Sequence, residues 1–356
     1  MTFSPTVCGA IPVTGEIAGQ TVALHYGEVA GEYAALRSGA MLIDRSARGR
    51  MRVSGARARE MITGLVTNDV ASLEPGAGQY AAALTPKGKI VADVRIFAQE
   101  DHLLIDVPPR AYLGWQTMVR KYVNPRVAPY RDESTALRDL GIFGQTARDI
   151  VAGICNVPVG LLADLAPYAH ISTEIDGHPL LVVRAPDLEL EGYELIVPTE
   201  IADNVWRQAV AAGATPGGVL AWEIARIEAG RPEWGIDIDD TTIPQEANLD
   251  ELHAISYTKG CYVGQEVVAR VHFRGRVNRH LRGILCAQGK LPPTGAALFT
   301  SEDKPVGDVR SSALSPRLGA VALAMVRREA EPGTTLQVRW DGGETGCEML
   351  QLPFPL

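Results

Sequence analysis

Beyond residue 280 the chain breaks into short apolar-rich runs, HLRGILC, ALFT, VGDVR, AVALAMV and TLQVRW, spaced evenly with turn residues between them. Runs this brief cannot each make a helix that buries a face. They pair as strands, and several in succession close into a small barrel or sandwich. The C-terminal part of the chain is therefore read as all-β. Upstream the pattern is mixed. Apolar residues at 58, 61, 62 and 65 form one stripe of an amphipathic helix. GRMRVSG (49–55), QYAAAL (79–84), KIVADVRIF (89–97) and HLLIDV (102–107) read as strands, with a turn at Pro86, Lys87 and Gly88. Trp115, Met118, Val119 and Tyr122 mark a second helix, so residues 54–134 read as one α+β unit.

A second block follows. TALRDLGIFG (135–144) reads as a strand running into a helix from Gln145, and HPLLVVR (178–184) and YELIVP (193–198) as strands. Asp203 is placed to cap a helix carrying Val205, Trp206, Ala209 and Val210, which Gly213 stops. A helix over 217–229 ends at Gly230, and Pro232 prevents its return. A short helix is expected near Gly31–Ser38, while the first thirty residues are Gly- and Thr-rich and weakly patterned.

A chain of 356 residues, 46% apolar and 21% charged, has the composition of two or three globular units. A disordered tail, a collagen and a coiled coil are excluded. The net charge of −8 opposes nucleic acid and acidic membrane as partners. No apolar run approaches the ~18 residues of a membrane span. The first residues, MTFSPTVCGA, lack the basic-then-apolar plan of a signal peptide, so a cytoplasmic location is expected. Five cysteines at 8, 155, 261, 286 and 347 include no pair at metal-ligand spacing, which fits a reducing compartment and no resident metal. Motifs for phosphate loops, dinucleotide folds, zinc proteases and serine hydrolases are absent.

The densest feature is Lys259-Gly260-Cys261-Tyr262-Val263-Gly264-Gln265-Glu266. A cysteine between glycines brings its sulfur close to a ligand, and Lys259 with a helix start after the motif would favour thiolate. A buried structural cysteine in a tight turn is the competing reading. Charge is sorted around this motif: residues 223–251 hold nine acids against Arg226 and Arg231, whereas 259–282 hold six Lys/Arg against Glu266. Either run is ordinarily a solvated face, and their succession also allows a polar groove with a cationic wall for a small anion. Glu228 falls on the apolar side of its helix, where a carboxylate needs an arginine elsewhere or a ligand edge of the pterin or purine kind. Asp93 interrupts an apolar strand, as an edge position or a functional acid. Tyr80 either stacks on a ring or fills the core.

At KGCYVGQE the sequence resembles the YgfZ-type family of folate-binding iron–sulfur maintenance proteins, relatives of the glycine-cleavage T-protein, an aminomethyltransferase. The likeness extends through LIDRSARGRMRVSG, LVTNDV, LTPKGKIVADVRIF, RIEAGRPEWGIDIDDTTIPQEANL, KGCYVGQEVVARVHFRG and VGDVRSSALSPRLGAVALAMV. LVTNDV and the SPRLG segment are similar to both branches, whereas KGCYVGQE is particular to the maintenance branch. The resemblance implies a three-domain α+β fold with mixed and antiparallel sheets, a central cavity and a small C-terminal β-barrel. The domains would be 1–53 with 135–255, an inserted 54–134, and 270–356. Tetrahydrofolate or a one-carbon derivative is the implied cofactor. By the same resemblance Glu228 would hold the amino-pyrimidine edge and Tyr80 would line the cavity. Lys259, Gly260, Tyr262, Gly264, Gln265 and Glu266 would belong to the same binding site. Cys261 would be the functional thiol, and Asp93 matches the acid that aminomethyltransferases place near the reactive folate nitrogen. RAPDLELEGYE (184–194) departs from the transferase pattern there, leaving Tyr193 as a loose substitute for a second folate-contacting tyrosine.

The expected function is a monomeric, tetrahydrofolate-binding factor that assists assembly or repair of iron–sulfur enzymes through Cys261, with iron–sulfur client or assembly proteins as partners. The alternative is a tetrahydrofolate-dependent aminomethyl or methyl transferase with Asp93 as general base.

Overall fold

A computed structural model describes residues 11–287 and 290–355. Cys8, one of the five cysteines, lies outside the described residues. The chain divides into two compact units. The first takes in residues up to Ala83, Val91–Trp222 and Ala254–Val263; the second takes in Leu84–Ile90, Glu223–His253 and the residues from Gly264 on.

The N-terminal segment, weakly patterned in sequence, is a hairpin of β1 (Val13–Ile17) and β2 (Gln20–His25). Its two-residue loop, Ala18 and Gly19, has both φ angles positive, as a tight hairpin turn requires. Helix α1 (Val29–Ser38) leads to β3 (Met41–Asp44) and β4 (Gly49–Ser54), then α2 (Ala58–Thr63). Next come β5 (Gly78–Leu84), β6 (Ile90–Ala98), β7 (His102–Val107), α3 (Tyr112–Tyr122) and β8 (Tyr130–Asp132). β9 (Leu137–Phe143), α4 (Ala147–Cys155) and α5 (Val159–Ala163) precede the antiparallel strands β10 (His170–Ile175), β11 (His178–Arg184) and β12 (Gly192–Pro198). Then follow α6 (Ala202–Ala211), the two-residue β13 (Thr215–Pro216), α7 (Val219–Glu228) and α8 (Gln265–Arg274).

Two sheets organise the first unit. One has the order β10-β11-β12-β9-β3-β13, antiparallel except where β13 runs parallel to β3. Its covering helices insert Ile150 and Val151 of α4 and Val205, Trp206 and Ala209 of α6 among Leu140, Ile142, Leu195 and Val197 of the strands. The other has the order β5-β6-β7-β4-β8, so β4 pairs with β7 and β8 rather than with its sequence neighbour β3. Asp203 does not cap α6. The chain enters that helix through a 3-10 turn over Thr199–Ile201, the residue before α6 is Ile201, and Asp203 falls in the first turn. There its charge still favours the helix dipole.

The second unit holds a closed six-stranded barrel, β14 (Arg279–Cys286), β15 (Ala297–Phe299), β16 (Pro305–Ser315), β17 (Gly319–Arg327), β18 (Thr335–Trp340) and β19 (Gly343–Leu350), in the order β14-β17-β16-β15-β18-β19. Ile284, Leu298, Val309, Val326, Leu336, Val338 and Met349 fill it. Closure pairs every strand and leaves no open edge. Within the barrel the strand missed in sequence is β19, because GETGCEML mixes glycine, acid and thiol where the other runs are apolar. The α+β class, the mixed sheets and the C-terminal barrel are those expected from the sequence.

Candidate active site

Tyr80 and Asp93 lie on β5 and β6, neighbours in the five-stranded sheet. The Tyr80 hydroxyl donates to Asp93 Oδ2 at 2.9 Å, and the two residues are only 4% and 6% exposed. β6 is an interior strand, so the edge-strand explanation of Asp93 does not hold. Tyr168 stacks on Tyr80 with ring centroids 6.2 Å apart and planes 21° from parallel. Its backbone is left-handed, φ +63°, a conformation rare for a bulky aromatic and costing of order 1–3 kcal/mol. Its N–H donates to the Arg184 carbonyl at 2.9 Å, and its hydroxyl lies 3.5 Å from Asp187. Nothing in LAPYAH marks Tyr168 in the sequence; only the fold places it at the pair.

Two residues along β6 from Asp93, on the same face, Arg95 enters a buried ionic network. It bonds Asp106 at 2.7 and 2.9 Å and Glu194 at 2.6 Å, with Asp187 at 3.3 Å and Asp139 at 3.5 Å. Arg45 adds bonds to Asp187, at 2.9 Å, and to Glu194, and its guanidinium lies 4.1 Å over the Trp222 ring. Burial would raise the Asp106 carboxyl, but Arg48, Arg95 and Arg50 outweigh it and hold the group well below the usual carboxylate range. Asp139 goes the other way. Burial, with Glu194 beside it, pushes it up to about 7 against the pull of Arg95. This network has a visible sequence signal: the apolar strands KIVADVRIF, HLLIDV and YELIVP each carry charge inside them.

Tyr193 sits on β12 next to Glu194, and strand alternation sends the two side chains to opposite faces. Tyr193 is fully buried in the helix-covered core, its single hydroxyl proton within reach of the Glu191 carboxylate at 2.9 Å and the Leu162 carbonyl at 3.1 Å. The structure does not bring it to Tyr80; Tyr168 is the tyrosine found there.

The KGCYVGQE segment divides into parts with different work. Lys259 Nζ donates to the carbonyls of Thr63 and Val66 at 2.6 Å and of Asn68 at 2.7 Å, and lies 4.7 Å from the centroid of the Tyr262 ring. Burial pushes its amine down to about 8. Its donors are thus spent on the 63–68 turn. Gly260 and Cys261 are exposed, and Tyr262 is buried. Gly264 has φ +85°, and a Cβ there would come within 2.6 Å of the Thr85 carbonyl. The TPKG turn packs against this same place, since a Cβ on Gly88 would meet Val267 at 2.6 Å. Gln265 and Glu266 open α8, Gln265 half-buried and Glu266 exposed.

In the second unit, Glu228 ends α7 and is 2% exposed. Ser315 Oγ donates to it at 2.5 Å, and Arg317 pairs with it at 3.5 Å. Of the two readings its helix position allowed, pairing with an arginine elsewhere is the one the geometry displays. Arg226, two residues earlier on α7, is saturated by Glu223, Asp237, Ser311 and the Arg231 carbonyl.

Residues 11–256 match the GCVT N-terminal domain, and residues 279–354 match the glycine cleavage T-protein C-terminal barrel domain. The chain belongs to the glycine-cleavage T-protein family. An aminomethyltransferase of Nostoc sp. is 29% identical over 344 residues, covering 94% of this chain and 90% of the relative. One from Chlorobium luteolum is 29% identical, covering 95% and 93%. In structure, glycine cleavage system aminomethyltransferase T from Bartonella henselae superposes with a TM-score of 0.87 at 22% identity, covering 98% of this chain and 94% of that one. That likeness establishes the fold. These relatives carry the name of the transferase branch, and nothing in them points to an iron–sulfur role.

Proposed function

We propose that the chain binds tetrahydrofolate and transfers a one-carbon unit, as an aminomethyl or methyl transferase. The alternative reading of the sequence thereby becomes the preferred one. The observation that carries it is the Tyr80–Asp93 pair: a buried carboxylate on an interior strand, oriented by a phenol and flanked by stacked tyrosine rings. A flat ring system bearing N–H groups and an amine suits that donor set, because tyrosine faces stack on it and a carboxylate accepts its protons. When bound, the folate would supply the nitrogen that carries the one-carbon unit. Asp93 would accept a proton at that nitrogen, and the Tyr80 hydroxyl, bonded to Oδ2, would orient the carboxylate for that transfer. Titration calorimetry with tetrahydrofolate tests the binding. The wild-type protein should bind, and Tyr80→Ala should weaken binding by roughly 1–3 kcal/mol through loss of stacking and of its hydroxyl. No binding by the wild type would remove the reading.

A second reading rests on a different observation. Among the described cysteines Cys261 alone is exposed, within the motif that resembles iron–sulfur maintenance proteins. Under it, Cys261→Ala abolishes restoration of iron–sulfur enzyme activity in cells lacking the protein, and a fully active alanine variant rejects it.

A further inference from the structure

We propose that Lys259 is a positioning residue for the Tyr80–Asp93 pair: clasped by three carbonyl oxygens, its ammonium group holds the 63–68 turn against β5 and so fixes where the tyrosine meets the carboxylate. The proposal deepens the transferase reading and rests on it for its consequence in folate binding. The clasp itself is read by a measurement that needs no ligand.

An ammonium group has three N–H donors, and here three main-chain oxygens take them at 2.6, 2.6 and 2.7 Å. The Tyr262 ring covers the remaining side. No donor is left over for a ligand, so a direct contact with folate is not the role this geometry gives Lys259.

From the clasped turn the hydrogen bonds continue to the pair. Asn68, whose carbonyl holds the ammonium, sends its side-chain amide to the Tyr80 carbonyl at 3.0 Å. Thr67, between two clasped residues, donates its N–H to the Ala82 carbonyl, and its Oγ1 accepts from the Ala82 N–H, both at 2.9 Å. The same Oγ1 donates to the Ala254 carbonyl at 2.6 Å, and Ser256 N–H returns to the Thr67 carbonyl at 3.0 Å. Segment 254–263 is thus laced to the turn, and the turn to the strand that carries Tyr80. Removing the ammonium leaves three converging carbonyls with no donor, and the turn must rearrange to solvate them.

The test uses the full-length protein with Lys259→Ala, with and without added methylammonium. That ion carries three N–H donors and fits the space the side chain vacates. Tetramethylammonium, with the same charge and no N–H, is the control. Amide exchange at Ala82 and Ser256 should rise at least about tenfold in the variant, and tetrahydrofolate affinity should fall about tenfold, the loss expected for one net hydrogen bond's worth of order. Methylammonium should reverse both changes and tetramethylammonium neither. Raised exchange with unchanged affinity would make the clasp a local brace and overturn the proposal, as would equal rescue by the two cations. If the alanine variant does not fold, Lys259→Met keeps an unbranched side chain of similar length and loses the ammonium, its charge and its three donors; wild-type affinity in it overturns the proposal. If the wild type itself does not bind tetrahydrofolate, the transferase reading fails separately, and unchanged Ala82 exchange in the variant still rejects the clasp.

Discussion

The hydroxyl of Tyr80 donates a 2.9 Å hydrogen bond to Asp93 from the neighbouring strand, with both groups shielded from solvent. A phenol directed at a buried carboxylate orients it. Tyr80→Phe keeps the ring against Tyr168 and removes only that donor. It should cost about 1.5–3 kcal/mol in urea unfolding, the range for a hydrogen bond to a charged group, and slow one-carbon transfer. An unchanged midpoint would mean that the bond carries no net energy.

The Arg95 network predicts both a mutational cost and a pH response. Arg95→Met removes the cation that Asp106 and Glu194 share, leaving them to Arg48, Arg50 and Arg45, and should destabilise the protein by about 3 kcal/mol, the lower end of the cost of breaking a buried ion pair. Asp106, held low by its arginines, contributes stability that is present above the ordinary carboxylate pKa and lost only as pH falls through its depressed value. Asp139 has the opposite sign. Its raised pKa contributes stability that is complete below about pH 4 and is lost as pH rises through about 7. Asp139→Asn should therefore flatten the unfolding free energy between pH 4 and 7 relative to wild type. Parallel curves for the two proteins would contradict the assignment.

Thiol chemistry should separate the cysteines cleanly. Burial raises Cys155 and Cys347 to about 12 and Cys286 to about 11, whereas Cys261 is exposed. Limited alkylation of the native protein at neutral pH, followed by peptide mass mapping, should label Cys261 well before those three. Labelling of Cys286 or Cys347 at a similar rate would show that the barrel opens readily.

Two glycines of one motif should respond differently to alanine. Gly264→Ala forces a Cβ against the Thr85 carbonyl at a positive φ and should cost about 1–3 kcal/mol. Gly260→Ala meets nothing within 4 Å and should stay within about 0.5 kcal/mol of wild type. Thermal melts of the two variants decide it.

That contrast also marks how far the sequence can be read. Strand alternation and helical stripes located β4 to β7, β9, β11, β12 and the first five barrel strands, because their apolar periods are strong. The hairpin β1–β2 and strands β3, β8, β10, β13 and β19 escaped: β3, β8 and β13 are four residues or fewer, and VTGEI, HISTEI and GETGCEML carry little apolar signal and are held by pairing with neighbours. Tyr80 and Asp93 were legible as candidates, but not as partners, because cross-strand register is a tertiary property. The side of the sheet that Tyr193 takes was hidden for the same reason: a single residue decides which face a side chain takes, and the face belonging to Arg95 went to Glu194. Lys259 was marked by its motif, yet its acceptors are main-chain oxygens nearly two hundred residues away, which no side-chain pattern reveals.

The central claim is that Asp93 acts on a proton during one-carbon transfer to or from tetrahydrofolate. Purified protein, tetrahydrofolate and a glycine-derived aminomethyl donor should yield one-carbon-loaded folate, followed by its mass, and Asp93→Asn should slow that yield at least ~100-fold while leaving the fold intact. Absence of transfer by the wild type, or equal rates from the two proteins, would contradict the account.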